Sequence, residues 1–256
     1  MEIYVFDDTF EGFLTLIFDW YNRKPGSITV SSAKHYHPQA FSQTYFIVTD
    51  PEKAMRVATG LRKRLSKEAW RAVYCTFLSE RLEAYEHLFG FAVYVFSDVS
   101  QAESNYGNEH VLFVHQMARK VEREKHHLEA FVRFQQTQDG MYYAPIEPKY
   151  NVLPLIAGHF RGRYADQSWV IYDHVRKYGL YYDLQRLQLI TLDFQRSHNF
   201  DTPARISEDH HEEMYQLLWK DYFKSANIPA RRNLKLHVRN LPRRFWKYLT
   251  EKQVLD

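Results

Sequence analysis

Near residue 131 the apolar residues of this chain change their period, and that change constrains the fold more than any other feature. Upstream they recur at helical spacing, as in Phe10, Phe13, Leu14, Ile17, Phe18 and Tyr21, or Ala54, Val57, Ala58, Leu61 and Leu65. Downstream the runs are short and rich in aromatic and β-branched residues. Phe131-Val132-Arg133-Phe134 leads through Asp139-Gly140 to Met141-Tyr142-Tyr143-Ala144, the pattern of two strands around a tight turn. Trp169-Val170-Ile171-Tyr172 and Leu180-Tyr181-Tyr182 flank a second turn at Arg176 to Gly179, and Leu187 to Phe194 can add a further strand. Successive hairpins imply an antiparallel sheet, and with helices on either side of it in sequence the class is α+β.

The remaining elements follow from local chemistry. Ile3 to Phe6 reads as a strand. Asp8 is placed to cap the helix after it, with Glu11 in position for the reciprocal bond. Gly12 inside that helix costs stability relative to Ala and marks a close backbone contact. Tyr45 to Val48 reads as a strand, and Asp50-Pro51 as a capped helix start. Pro51 to Ser97 then holds two or three helices, and residues 109–125 another. Asn151 to Phe160 forms a short apolar helix, Ser207 or Asp209 starts one through Met214, Leu217, Leu218, Tyr222 and Phe223, and Pro242 starts one that buries Phe245 and Leu249. The polar stretch Gln101 to Asn108 divides a mainly helical region, 1–100, from an α+β region with a basic helical tail, 101–256, unless the whole is one compact domain.

A single cysteine, Cys75, excludes an internal disulfide and any cysteine-rich metal or iron–sulfur site, so no cofactor is expected. The N-terminal residues lack the basic and apolar regions of a signal peptide. The longest apolar run, Leu88 to Phe96, is too short to span a bilayer. These features predict a cytoplasmic protein without a membrane segment. The net charge of +3 is too small to define a partner, so the placement of the cations decides more than their number.

Cations concentrate near the carboxyl end. Arg231, Arg232, Lys235, Arg239, Arg243, Arg244, Lys247 and Lys252 lie within 22 residues whose only acid is Glu251, and Phe245, Trp246 and Tyr248 interleave with them. Such a patch attracts phosphates by releasing counterions, and exposed rings stack on unpaired bases. The plainer reading is an amphipathic segment whose rings fill the core while its charges face water. A second polar set, Arg133, Asp139, His159, Arg163, Asp166, Asp173 and Arg176, lies in the hairpin region. Alternation sends Arg133 to the face opposite Val132 and Phe134. Either the set lines a groove for a nucleotide or an acidic surface, or its members form ion pairs, as Asp173 and Arg176 would across their turn. The histidine pairs His35/His37, His126/His127 and His210/His211 lack metal-site spacing, so no metal is expected. Neither a phosphate-binding glycine loop nor a nucleophile elbow occurs.

Val132-Arg133-Phe134, Asp139-Gly140, Tyr142-Tyr143-Ala144, Asn151-Val152-Leu153-Pro154-Leu155, His159-Phe160 and Asp166-Gln167 through Arg176 follow in order, and so do Leu218-Trp219, Ala230-Arg231-Arg232-Asn233 and Pro242 to Glu251. Together with Phe10-Glu11-Gly12-Phe13-Leu14, this succession resembles an uncharacterised bacterial family described as probable DNA metabolism proteins. Similar domains occur behind uracil-DNA glycosylase-like domains, and stand-alone members are encoded beside a radical S-adenosylmethionine (SAM) protein. The resemblance implies an accessory protein that binds DNA, a radical SAM enzyme of DNA repair or base modification, or both. It supplies no catalytic residues. His127 and Ala130 depart from the pattern, which has Arg and Gly there. Two alternatives remain: an enzyme acting on a nucleotide or damaged base through the central polar set, and a protein–protein scaffold without DNA contact.

Overall fold

The computed structural model describes residues 2–137, 140–191 and 241–249. The chain divides into two compact units, residues 1–123 and residues 124 onward. The division falls inside one helix, and the polar stretch 101–108 belongs to the first unit. Helices and strands are mixed, as the sequence predicts, but strands occur on both sides of the change of period, because the first unit holds a sheet of its own.

The first unit is built on β1 (Glu2–Phe6), whose run Ile-Tyr-Val-Phe is buried on both faces. That is the pattern of a central strand in a parallel sheet. β2 (Ile28–Ser32) and β3 (Gln43–Phe46) flank it, both parallel, in the order β2-β1-β3. Between β1 and β2 runs α1 (Phe10–Arg23). Its cap is Thr9, whose hydroxyl accepts from Gly12 N at 2.9 Å. Asp8, the residue expected in that role, instead takes a left-handed conformation at φ 64° and accepts the Lys34 backbone N–H. The close contact expected at Gly12 is present, because a Cβ there would lie 2.1 Å from Asp7 Oδ1.

Three helices follow: α2 (Pro51–Arg64), α3 (Lys67–Phe77) and α4 (Leu82–Phe96). Asp50 caps α2 as expected, accepting from Glu52 N and Lys53 N. Rings of Phe6, Phe10, Phe13, Phe77 and Tyr85 form the core, with neighbouring centroids 5.0 to 6.4 Å apart. Edge-on and tilted contacts of this kind add to the burial of aromatic surface. Helix α5 (Glu109–Phe131) runs across the division between the units.

The second unit carries a five-stranded sheet in sequential order: β4 (Gln135–Gln136), β5 (Tyr142–Ile146), β6 (Trp169–Asp173), β7 (Tyr178–Tyr182) and β8 (Leu187–Ile190). The second predicted hairpin appears as the antiparallel pair β6–β7, and β4–β5 and β7–β8 are antiparallel too. The first arm of the first hairpin, expected at Phe131 to Phe134, lies instead at Gln135–Gln136, because α5 runs on to Phe131. One pairing departs from the all-antiparallel expectation: β5 and β6 are parallel. The helix read at Asn151 to Phe160, α6 (Leu153–Arg163), lies between those two strands, and a crossover of that length returns the chain in the same direction. Phe160 and Tyr164 pack with Phe134 and Trp169 over the sheet. The helix expected after Ser207 lies outside the described residues.

Candidate functional site

Residues 241–249 fold as a short 3-10 turn, Arg243–Tyr248, that buries Phe245 and Leu249 as the sequence predicts. Phe245 sits against His127 and Phe131 on α5, at centroid distances of 5.8 Å. The charges around it are the informative part. Arg244 donates to Glu124, a carboxylate only 3% exposed whose other oxygen accepts the Lys149 backbone N–H at 2.8 Å. Lys247 pairs with Glu147 at the end of β5. Burial pushes the Glu147 carboxyl up, but hydrogen bonds from Lys247 and Tyr248 outweigh it and hold the group below its usual range.

Two cations of the tail are thus neutralised by acids remote in sequence, and they fasten the segment rather than lie free on the surface. Arg243 differs: it is exposed, 5.8 Å from the Trp246 ring centroid. Trp246 directs its indole N–H to Leu241 O at 3.1 Å, so the ring is half-buried and held in place. Arg231, Arg232 and Arg239 lie outside the described residues.

The central polar set separates. Asp173 is fully buried; its Oδ1 accepts the backbone N–H groups of Val175 (2.8 Å) and Arg176 (3.1 Å), and its Oδ2 the Arg176 guanidinium at 3.0 Å. Arg176 also donates to Pro148 O at 3.1 Å. The pair therefore locks the β6–β7 turn to the loop after β5, in keeping with the ion-pair reading. Arg133 is not on a strand; it follows α5 and donates to Ala130 O and Val132 O, the carbonyls left over at a helix end. That corrects the alternation argument, since β4 starts only at Gln135. His159 Nδ1 lies 3.8 Å from Glu129 Oε1, which Lys125 also reaches at 2.8 Å. Arg163 is exposed beside the Tyr164 ring, and Asp166 is exposed. Asp139 lies outside the described residues.

Next to these anchors lies a group of hydroxyls and an imidazole that no sequence motif marks. Tyr143 on β5 meets His174 Nε2 at 3.0 Å. Burial, then the neighbouring Tyr172, pushes the Tyr143 phenol up to about 12. Burial and Glu147 raise Tyr248 well above its ordinary value. Burial, then Lys177, holds His174 below the ordinary histidine value. At neutral pH the phenols are therefore neutral and His174 is uncharged. The aromatic run Met141-Tyr142-Tyr143-Ala144 after Asp139-Gly140 marks the strand that carries Tyr143, but His174 sits in a turn with nothing around it to single it out.

Of the histidine pairs, His35 Nδ1 bonds Ser32 Oγ at 2.8 Å and His127 joins the Phe245 cluster. His210 and His211 lie outside the described residues. Among the described residues no three metal-ligating side chains converge, and no helix is long and apolar enough to cross a membrane.

These features define a mixed α and β protein in which the turn Arg243–Tyr248 is fastened within the second unit by the buried Glu124 and the exposed Glu147. The chain belongs to the DUF4130 family, a domain of unknown function, whose model matches residues 82–251. The match takes in Glu124, Glu147, Asp173, Arg176 and the Arg243–Tyr248 turn, and leaves the three-stranded sheet outside it. No curated protein and no solved structure shows a significant match.

Proposed function

We propose that this protein is a cytoplasmic accessory factor of DNA metabolism, binding DNA or a radical SAM enzyme of repair or base modification rather than performing the reaction. The observation that carries the reading is the division of labour in the tail. Arg244 and Lys247 anchor the segment, while Arg243 stays exposed against a fixed tryptophan. A cation on a rigid aromatic plane suits a phosphate or a base better than a freely rotating lysine does. Arg231, Arg232 and Arg239 would extend the contact. The family resemblance supports the same reading. The enzyme alternative draws less support, because Asp173 and Arg176 are already engaged in a turn and Arg133 closes a helix end.

Fluorescence anisotropy with labelled single- and double-stranded DNA tests this. Binding should weaken steadily as salt rises, and Arg243→Glu should weaken it for all sequences alike. Binding that ignores salt, or none in either strand form, refutes the DNA reading. Co-purification with a radical SAM enzyme from nuclease-treated extract would then support the scaffold alternative.

A further inference from the structure

We infer a binding site for a divalent transition-metal ion of the zinc class between His87 on α4 and His110 at the start of α5. Both histidines belong to the first unit, so the site is separate from the tail and independent of the DNA reading. Their Nδ1 atoms lie 3.1 Å apart and their ring centroids 5.2 Å apart. Two imidazole nitrogens bound to one ion at about 2.0–2.1 Å stand about 2.9 Å apart at a right angle and about 3.4 Å apart at a tetrahedral angle. The observed separation falls between those values. A turn of the rings that opens the gap by about 0.3 Å admits a tetrahedral ion.

The two rings are held in place at a cost. Gly90 sits inside α4, where glycine weakens a helix relative to alanine. A Cβ there would lie 2.5 Å from His110 Nε2 and 2.6 Å from its Cδ2 and Cε1, so the missing side chain is the room that this ring occupies. His87 lies flat on Phe113, one turn along α5 from His110, with centroids 4.0 Å apart and planes 9° apart. Asn108 Oδ1 accepts the backbone N–H groups of His110 (2.9 Å) and Val111 (3.2 Å) and so fixes the first turn of α5. Each ring is thus positioned by groups other than its partner, and both are half-buried rather than sealed in the core. Two fixed rings with facing nitrogens are a preorganised pair of ligands.

Without metal, one Nδ1 carries the proton of the contact and the other accepts it. With an ion between them, both Nδ1 atoms present lone pairs and each ring keeps its proton on Nε2. His110 Nε2 lies 3.9 Å from Glu109 Oε1, the placing of a carboxylate behind a ligating histidine. Burial, then His110, holds His87 below the ordinary histidine value, which leaves its nitrogen uncharged at neutral pH. The carboxylates Glu109, Glu86 and Glu83 also act on His87. Glu83 is paired with Arg81 at 2.8 Å, and all three acids are exposed, so water screens their attraction for a cation. Ligand chemistry therefore selects the ion more than charge does. Imidazole nitrogen suits zinc, nickel and copper, whereas magnesium and calcium require oxygen. Among the described residues no third protein ligand joins the pair, so water completes the shell and the site is an open one.

Equilibrium dialysis against Zn²⁺, with excess Mg²⁺ present, tests the inference on the intact chain after chelator treatment. The parent should hold one Zn²⁺ more than the double variant His87→Gln, His110→Gln. Each single substitution should weaken that ion's binding at least about tenfold, and Gly90→Ala, which removes no ligand but displaces the His110 ring, about tenfold. Pulsed electron paramagnetic resonance of the parent loaded with one equivalent of Cu²⁺ gives a reading that no variant's folding can disturb. Two imidazoles coupled to the copper support the site, and one or none overturns it. Equal Zn²⁺ uptake by the parent and the double variant assigns the metal to other histidines and overturns the inference too. Loss of binding in only one of the single variants does the same, because the ion would then rest on one ring. Parent-like affinity in Gly90→Ala would show that the placing of His110 is not what holds the ion.

Discussion

Glu124 and Arg244 form an ion pair between residues 120 apart in sequence, at the point where α5 enters the second unit. The acid is buried and the guanidinium partly exposed, with side-chain exposures of 4% and 38%. Burying a carboxylate is unfavourable unless its lone pairs are met, and here Arg244 and the Lys149 amide meet them. Removing Arg244 would strand the carboxylate. Arg244→Ala should therefore destabilise the second unit by about 1–3 kcal/mol, less than a fully buried pair because water screens the guanidinium. Lys247→Ala, at a more exposed pair, should cost roughly 1 kcal/mol or less. Urea unfolding of both variants checks the ranking, and equal losses would contradict it.

Asp173 and Arg176 offer the more severe case. The aspartate is fully buried, the Arg176 side chain only 9% exposed, and three of the aspartate's hydrogen bonds hold the β6–β7 turn. Asp173→Ala leaves a buried guanidinium and two turn amides without their acceptor. A loss of about 3–5 kcal/mol is expected. Amide exchange in β6 and β7 should accelerate before that in α1 to α4. Unchanged protection at Val175 and Arg176 would show that the turn does not depend on the carboxylate.

Gly12 is the position in α1 where any side chain must collide. A Cβ would lie 2.1 Å from Asp7 Oδ1 and 2.8 Å from Thr49 Oγ1, on side chains bonded to each other across the start of the helix. Helix propensity alone would make Gly12→Ala stabilising by about 1 kcal/mol. The clash reverses the sign, with a net loss of roughly 1–3 kcal/mol. Thermal melting decides between them, and a higher Tm for Gly12→Ala would refute the tight contact.

His87 and His110 join α4 to the start of α5 through a 3.1 Å contact between their Nδ1 atoms. Gly90 makes room for the second ring, since a Cβ there would lie 2.5 Å from His110 Nε2. His87 is also stacked on Phe113 at 4.0 Å. Burial, then His110, lowers the His87 pKa below 6.5, although Glu109, Glu86 and Glu83 pull the other way. The folded state thus takes up this proton less readily than the unfolded chain. Stability from this group is present above 6.5 and falls as pH drops below that value toward the folded pKa. In His87→Gln the acid-induced rise of amide exchange in α4 should shrink. The same pH profile in variant and parent would exclude His87 as its source.

Much of the first unit's local structure was legible, and so was the β6–β7 hairpin of the second. The Asp50-Pro51 start of α2 and the close contact at Gly12 show themselves in residue types, because each depends on a cap or a missing side chain that only certain residues supply. The turn at Gly140 did so too, but its first arm, expected at Phe131 to Phe134, was displaced to Gln135–Gln136 by the length of α5. Asp8 misled because two adjacent residues could both cap α1, and the choice fell to the backbone. Asp8 turns left-handed and Thr9 takes the extended conformation a cap needs.

The sequence by itself determined the mixed class, the hairpins, and the inward face that Phe245 and Leu249 form in the tail. These follow from the period of apolar residues and from turn chemistry. Only the tertiary structure decided that β5 and β6 run parallel and that Arg244 and Lys247 meet Glu124 and Glu147. A cation has the same composition whether water or a distant acid faces it. Which of the two Arg244 meets depends on how segments 120 residues apart are brought together, and no local pattern records that.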